Sequence, residues 1–227
     1  MDIKKYIITF TKQPPAIDNL WDSAVWKNIP ALAIACYRKE SSSHRPETYC
    51  RLLYDRERIY GIFRVNDQYV RCVHSEFQSE VYKDSCVEFF VQPKATNAYF
   101  NFEFNCGGAL LASYVTDPTR IDGRVKESIL LTPADNQEIR RYSSLPRIVE
   151  PEITHPITWF LGFSIPFAVL NRYTTIAPDV DSQIWRANFY KCGNEISHPH
   201  WGSWSPVLQL NFHRPADFGE VRFSSRP

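Results

Sequence analysis

No stretch of this chain stays apolar for the roughly 20 residues that a membrane-spanning helix needs. An excess of either charge is also missing: 26 basic residues stand against 25 acidic ones, for a formal net charge of +1. That balance leaves no basic footprint for nucleic acid and no polybasic contact for an anionic membrane. The N-terminal MDIKKYIITF carries a lysine pair but only a short apolar patch, so it does not read as a secretory signal. The expectation is a cytoplasmic protein, or an exported one whose leader is missing from this chain. Methionine is almost absent, with Met1 alone. Six cysteines are present (36, 50, 72, 86, 106 and 192), but none forms a C-x-x-C pair, so a zinc knuckle is not indicated. Several sit inside apolar strand patterns, where a free thiol is a small core residue, and reduced core thiols are expected.

What the chain does have is aromatics. They make up 15% of 227 residues within a hydrophobic fraction of 44%, enough for a sizeable core. Aromatic residues favour strands. RLLYD (residues 51–55) and RIYGIFRVND (58–67) read as two antiparallel strands with a tight connection. In YFNFEFNC (99–106), Phe100, Phe102 and Phe104 share one face while Asn101, Glu103 and Asn105 share the other. SCVEFFVQP (85–93), WFLGFSIPF (159–167) and WRANFYKC (185–192) follow the same period of two. Helix is expected only as short turns, at residues 167–173 and 19–24. Residues 117–156 are rich in Pro, Asp and Arg and read as a long excursion with an extra hairpin. Many short strands separated by turn residues predict an all-β, antiparallel β-sandwich, jelly-roll-like, over residues 1–227 as a single domain.

The ordered set AIDNLWDSAVW (16–26), LLYDRERIYGIFRVND (52–67), VYKDSCVEFFVQP (81–93), FNFEFNCGG (100–108), WFLGFSIPF and HRPADFGEVRF (213–223) resembles the family 9 carbohydrate-binding modules. The run WRANFYKCGN with SWSP and HRPADFG is similar to the stand-alone members, relatives of the DOMON-type sandwiches. The resemblance implies a β-sandwich that grips a sugar between two tryptophans. Here Tyr82 and Phe212 stand at those two positions, flat rings that can still stack on a sugar face but with less area. It also implies polar contacts from Glu88, Asn101, Glu103 and Asn105. The strand pattern adds Arg186 and Asn188 to that polar face, with Tyr190 nearby, a mixture that can satisfy hydroxyl donors and acceptors. Trp201 and Trp204 are expected at the rim or in the core.

Other chemistries are weaker. His198 and His200, with His213, could start a zinc site, but Pro199 between the first two and the lack of a placed carboxylate count against it. The resemblance allows structural calcium, yet Asp117, Asp122 and Asp135 follow no EF-hand spacing and read as turn formers. Met1 as the only methionine argues against Met-ligated haem. A glycosidase would need two flanking carboxyls, and Glu88 with Asp84 or Glu103 are the candidates. The sequence thus predicts non-catalytic binding of a mono- or oligosaccharide of xylan or glucan type. Two alternatives stay open at this point: a carbohydrate-active hydrolase or its accessory domain, and a structural sandwich whose sugar site has decayed.

Overall fold

The computed structural model describes residues 3–18 and 21–225. Among these the chain forms β1 (Lys5–Phe10), β2 (Leu32–Ile34), β3 (Cys36–Tyr37), β4 (Glu47–Tyr54), β5 (Arg58–Asp67), β6 (Val70–Cys72), β7 (Cys86–Gln92) and β8 (Tyr99–Asn105). There follow β9 (Leu110–Ile121), β10 (Arg124–Leu130), α1 (Pro133–Glu138), β11 (Arg140–Ser143), β12 (Val149–Ile153), β13 (Ile157–Pro166), α2 (Phe167–Asn171), β14 (Ile184–Gly193), β15 (His200–Ser203) and β16 (Gly219–Phe223). The all-β expectation holds, and the two helices are short. The turn expected near residues 19–24 is not helical over residues 21–24, and its first two positions lie outside the described residues.

The main ladder runs β10-β9-β8-β7-β14-β16-β1-β4-β5-β13-β11. It folds over on itself at β1. Lys5–Ile8 pair with β16, and Thr9–Phe10 pair with β4, so one strand belongs to both halves. Both of these pairings are parallel, an exception to the antiparallel rule that the sequence pattern did not reveal. The fold-over is visible in the core. Phe89 of β7 stacks on Phe163 of β13 at 5.6 Å, and Phe104 of β8 does so at 5.3 Å, although these strands are far apart in the ladder. Alternation supplies the rings: Phe89, Phe102, Phe104, Phe163 and Phe189 are all buried. Gly61 lies opposite Phe163 in the register, and a Cβ there would come within 2.2 Å of that ring. Absence of a side chain is what lets the ring sit over β5.

Residues 117–156 are more ordered than their composition suggests. They hold the β9–β10 hairpin, α1, β11 and β12. Asp122 (φ 48°) and Gly123 (φ 78°) make the two-residue hairpin turn, a conformation that suits the twist of the flanking strands.

One polar network bridges the two halves inside the core. Asp67 of β5 accepts from Trp159 Nε1 (3.2 Å) and the Gln68 amide (2.9 Å), with His44 Nε2 at 2.7 Å. Lys191 Nζ of β14 lies 3.5 Å from its carboxylate, and both side chains are fully buried. The same ammonium donates to the Cys192 carbonyl at 3.1 Å and sits 2.8 Å from His200 Nε2. An ammonium has no lone pair, so Nε2 must accept, and Nδ1 then donates to the His198 carbonyl at 2.9 Å. Burial, reinforced by Lys191, holds the His200 pKa well below the usual range and keeps the ring neutral. Removing one member of such a pair strands the other charge, at a typical cost of about 3–5 kcal/mol. Lys191→Met, similar in volume, is therefore expected to lower the unfolding free energy by that order, read as a lower urea midpoint at unchanged slope. An unchanged midpoint would show that the pair contributes nothing net.

Candidate functional site

On their core side, β7, β8 and β14 present Phe89, Phe102 and Phe189. The period of two turns the intervening residues to the opposite face. There, Glu88 is paired in register with Glu103 on one side and Tyr190 on the other. This face forms the floor of a cavity of about 760 Å³. Its lining includes Tyr82, Glu88, Asn101, Glu103, Trp201 and Phe212, which the sequence had singled out. The β9–β10 hairpin adds a wall through Arg120, Val125 and Ser128.

The rings are held in place by their neighbours. Phe212 stacks on Tyr190 with centroids 4.0 Å apart and an interplanar angle of 12°, so one of its faces is already covered. The Tyr190 hydroxyl donates to the Phe212 carbonyl at 3.1 Å, which fixes the loop that carries it. Tyr82 is the middle residue of the tight turn Val81–Lys83, and its hydroxyl donates to Glu80 at 2.7 Å. Trp201 of β15 donates its indole N–H to Asn194 at 2.7 Å. All three rings are partly buried against the apolar group of Val81, Cys86, Ala109 and Cys192.

The floor is polar and incompletely satisfied. Asn101 accepts from the Ser113 amide at 2.9 Å and donates to Glu103 Oε1 at 2.7 Å. The other oxygen of Glu103 is buried with no hydrogen-bond partner. Glu88 accepts from the Cys192 thiol at 3.1 Å. Burial pushes the Glu88 pKa well above the ordinary value, with Cys192 and Glu103 adding to the rise. Burial likewise pushes Glu103 up to about 7, against the opposing pull of the Asn101 amide and Arg120. His213, 2.6 Å from the Tyr99 hydroxyl, is pushed down to about 3 by burial and is neutral.

Four residues from the sequence reading lie elsewhere, among them Asn188, whose amide is spent on the Ser205 carbonyl and amide at 3.0 and 2.9 Å. Asn105 spends its whole amide on the His74 carbonyl, Asp84 and the Ala109 amide, at 2.6, 2.8 and 2.9 Å. Arg186 donates to the Phe218 and Ala216 carbonyls at 2.5 and 3.2 Å and anchors the C-terminal turn. Trp204 is core: it packs edge-on against Phe189, over Gly219, where a Cβ would meet its ring at 2.5 Å. The three histidines do not converge either. His198 stacks on Tyr69, His200 holds Lys191, and His213 faces Tyr99. Nor do the loop aspartates form an oxygen cage for calcium. Asp117 pairs with Lys126, Asp135 caps α1 and binds Arg172 and Tyr173, and Asp122 makes the hairpin turn. Sequence reasoning missed Arg120, Ser113 and Asn194, whose places depend on the hairpin and on a strand pairing that no local pattern specifies.

A family model for carbohydrate-binding family 9 matches residues 18–223. The chain belongs to carbohydrate-binding family 9. A solved structure of a candidate carbohydrate-binding protein from Bacteroides uniformis is 26% identical, covers 98% of this chain and 100% of its own, and superposes with a TM-score of 0.84. A family 9 module from Caldicellulosiruptor kristjanssonii in complex with glucose shares the fold at 14% identity and a TM-score of 0.66, over 99% of this chain and 97% of its own. The same organism's module with cellotriose gives 14% and 0.65, over 99% and 95%. Comparison with curated proteins finds no match.

The raised carboxyl makes a pH prediction. Glu103 moves from an ordinary 4.5 to about 7 on folding. Between those values the folded protein holds the proton more tightly, so stability falls as pH rises, by at most about 1.4 kcal/mol per pH unit for one group. Glu88 contributes in the same direction. Glu103→Gln should flatten the fall in urea midpoint between about pH 4.5 and about pH 7. If the variant keeps the wild-type slope, Glu103 is not the titrating group.

Proposed function

We propose that the cavity binds a mono- or oligosaccharide of xylan or glucan type, without turnover. The observation that carries this is the pairing of partly buried rings with a buried polar floor. Tyr82, Trp201 and Phe212 offer flat apolar surface for the C–H face of a pyranose. Glu88 and Glu103 offer oxygens for its hydroxyls, Asn101 keeps its second amide N–H as a donor, and the partnerless oxygen of Glu103 gains most from a donor. The family 9 modules bound to glucose and to cellotriose support the ligand class. Arg186, Asn105 and Trp204 have no part in this proposed site.

A hydrolytic reading draws on the two carboxyls with raised pKa values. Against it stands their placement. Glu88 and Glu103 are register partners on adjacent strands and rise from one floor, whereas a glycosidase sets its two carboxyls on either side of the scissile bond.

Tryptophan fluorescence, titrated with glucose, cello-oligosaccharides and xylo-oligosaccharides, checks the proposal, since Trp201 lies in the cavity. A saturable change is expected for one sugar class. Tyr82→Ala and Phe212→Ala should each weaken it about tenfold, the equivalent of ~1.4 kcal/mol. Arg186→Ala should leave affinity within about twofold. No response to any sugar, or a response indifferent to both ring deletions, would remove this site from consideration. Release of product from aryl-glycosides, lost in Glu88→Gln, would favour the hydrolase instead.

A further inference from the structure

Two thiols meet at the edge of the cavity floor. Cys86 of β7 and Cys192 of β14 stand directly opposite each other in the antiparallel register. Glu88 lies two residues beyond Cys86, on the same face. The two sulfurs and a Glu88 carboxylate oxygen all lie within 4.8 Å of one another, the one such group of three potential metal ligands among the described residues. The three residues are buried, yet Cys192 and Glu88 line the cavity, so an ion has a path to them. The Cys192 thiol already points its proton at Glu88 Oε1, 3.1 Å away. Next to Glu88 on β8 is Glu103, whose Oε2 is buried and unpartnered.

Filling core space with small thiols explains part of this. Cys86 packs against Val81 and Ala109 as a small apolar residue does. It does not explain two buried carboxyls set beside two thiols. Neither Glu88 nor Glu103 has an ion-pair partner among the described residues. Buried without a counter-charge, such groups are held as neutral acids. A cation at their centre would favour the carboxylate and displace the proton.

We propose that Cys86, Cys192 and Glu88 form a binding site for a thiophilic divalent cation of the zinc type, with its remaining position directed at the cavity and Glu103. The donor set selects the metal. Two sulfurs and a carboxylate suit Zn²⁺ or Cd²⁺, while Ca²⁺ and Mg²⁺ take oxygen alone. Spacing agrees: tetrahedral zinc, with bonds of about 2.3 Å to sulfur and about 2.0 Å to oxygen, sets its donors roughly 3.5–4 Å apart. On binding, the two thiol protons and the proton on Glu88 pass to solvent, and two thiolates with one carboxylate around the dication leave the group with one net negative charge. The site shares Glu88 with the proposed sugar floor, but metal binding is read with no sugar present, so its failure and the failure of the sugar reading are told apart.

The test uses the whole chain, reduced with a phosphine, and no sugar. One equivalent of Zn²⁺ or Cd²⁺ should be retained after dialysis against weak competitor, and Ca²⁺ should not be. Cd²⁺ should bring up the ultraviolet charge-transfer band of cadmium–thiolate bonds. Peptide mapping after alkylation in mild denaturant should show Cys86 and Cys192 protected at least about tenfold by Zn²⁺, with Cys50 unprotected. Cys192→Ser and Glu88→Gln should each lower Zn²⁺ affinity by at least about tenfold. A buried substitution can unfold the chain, so the protection map and the Cd²⁺ band, both read on the unaltered protein, carry the decision. Sub-stoichiometric retention, absence of the band, or protection spread equally over all six cysteines would overturn the proposal. So would a Cys86–Cys192 disulfide that, once reduced, still leaves the protein unable to hold Zn²⁺.

Discussion

A period of two along β7, β8 and β14 is the constraint from which the rest follows. These strands lie side by side, and each must bury one face against the other half of the ladder. Phe89, Phe102 and Phe189 meet that demand. The residues between them are then forced to a common opposite face, whatever their chemistry. A single-residue slip would exchange the two sets and put carboxyls where rings now stack. The cavity floor and the aromatic core are therefore two readings of one register, and neither can be moved without the other.

Buried charge is handled in two different ways on the two sides of this sheet. On the core side, Asp67 and Lys191 are paired, and the remaining lone pairs and protons are met by Trp159, the Gln68 amide, the Cys192 carbonyl and His200. On the cavity side, Glu88 and Glu103 face each other with one oxygen unmet. Adjacent residues on one strand, Lys191 and Cys192, belong to these contrasting environments. A satisfied network fixes how the halves of the fold meet. An unsatisfied one holds interaction energy in reserve for something that enters from outside.

Much of this was legible in the sequence. Alternation in YFNFEFNC and WRANFYKC assigned each residue to the correct face, because strand geometry is local and its period is short. The class of fold followed from the same signal. What failed was position along a face. Asn105 and Arg186 share the polar side with Glu88 and Glu103, but they lie at opposite ends of it, where turns consume their hydrogen bonds. Only the register of neighbouring strands separates the middle of a face from its ends, and register depends on contacts distant in sequence. The same limit hid Arg120 and the hairpin wall, which the weak pattern of residues 117–156 concealed. It also hid the meeting of Cys86 and Cys192, two thiols in separate motifs that become neighbours only once β7 pairs with β14.

The strand shared by both halves has a mechanical side. Lys5–Ile8 run parallel to Glu220–Phe223, with Lys5 beside Glu220 and Ile8 beside Phe223. A tug that draws Lys5 and Phe223 apart slides these two strands lengthwise past each other. Every rung of that short ladder then shares the load at once, where an antiparallel pair pulled from one end would unzip rung by rung. Tyr54 ties the same corner by donating to the Ser224 carbonyl, just past the last rung. A molecule clamped in this way resists shear between its ends far better than peeling, so its two ends can serve as points of traction without opening the sandwich.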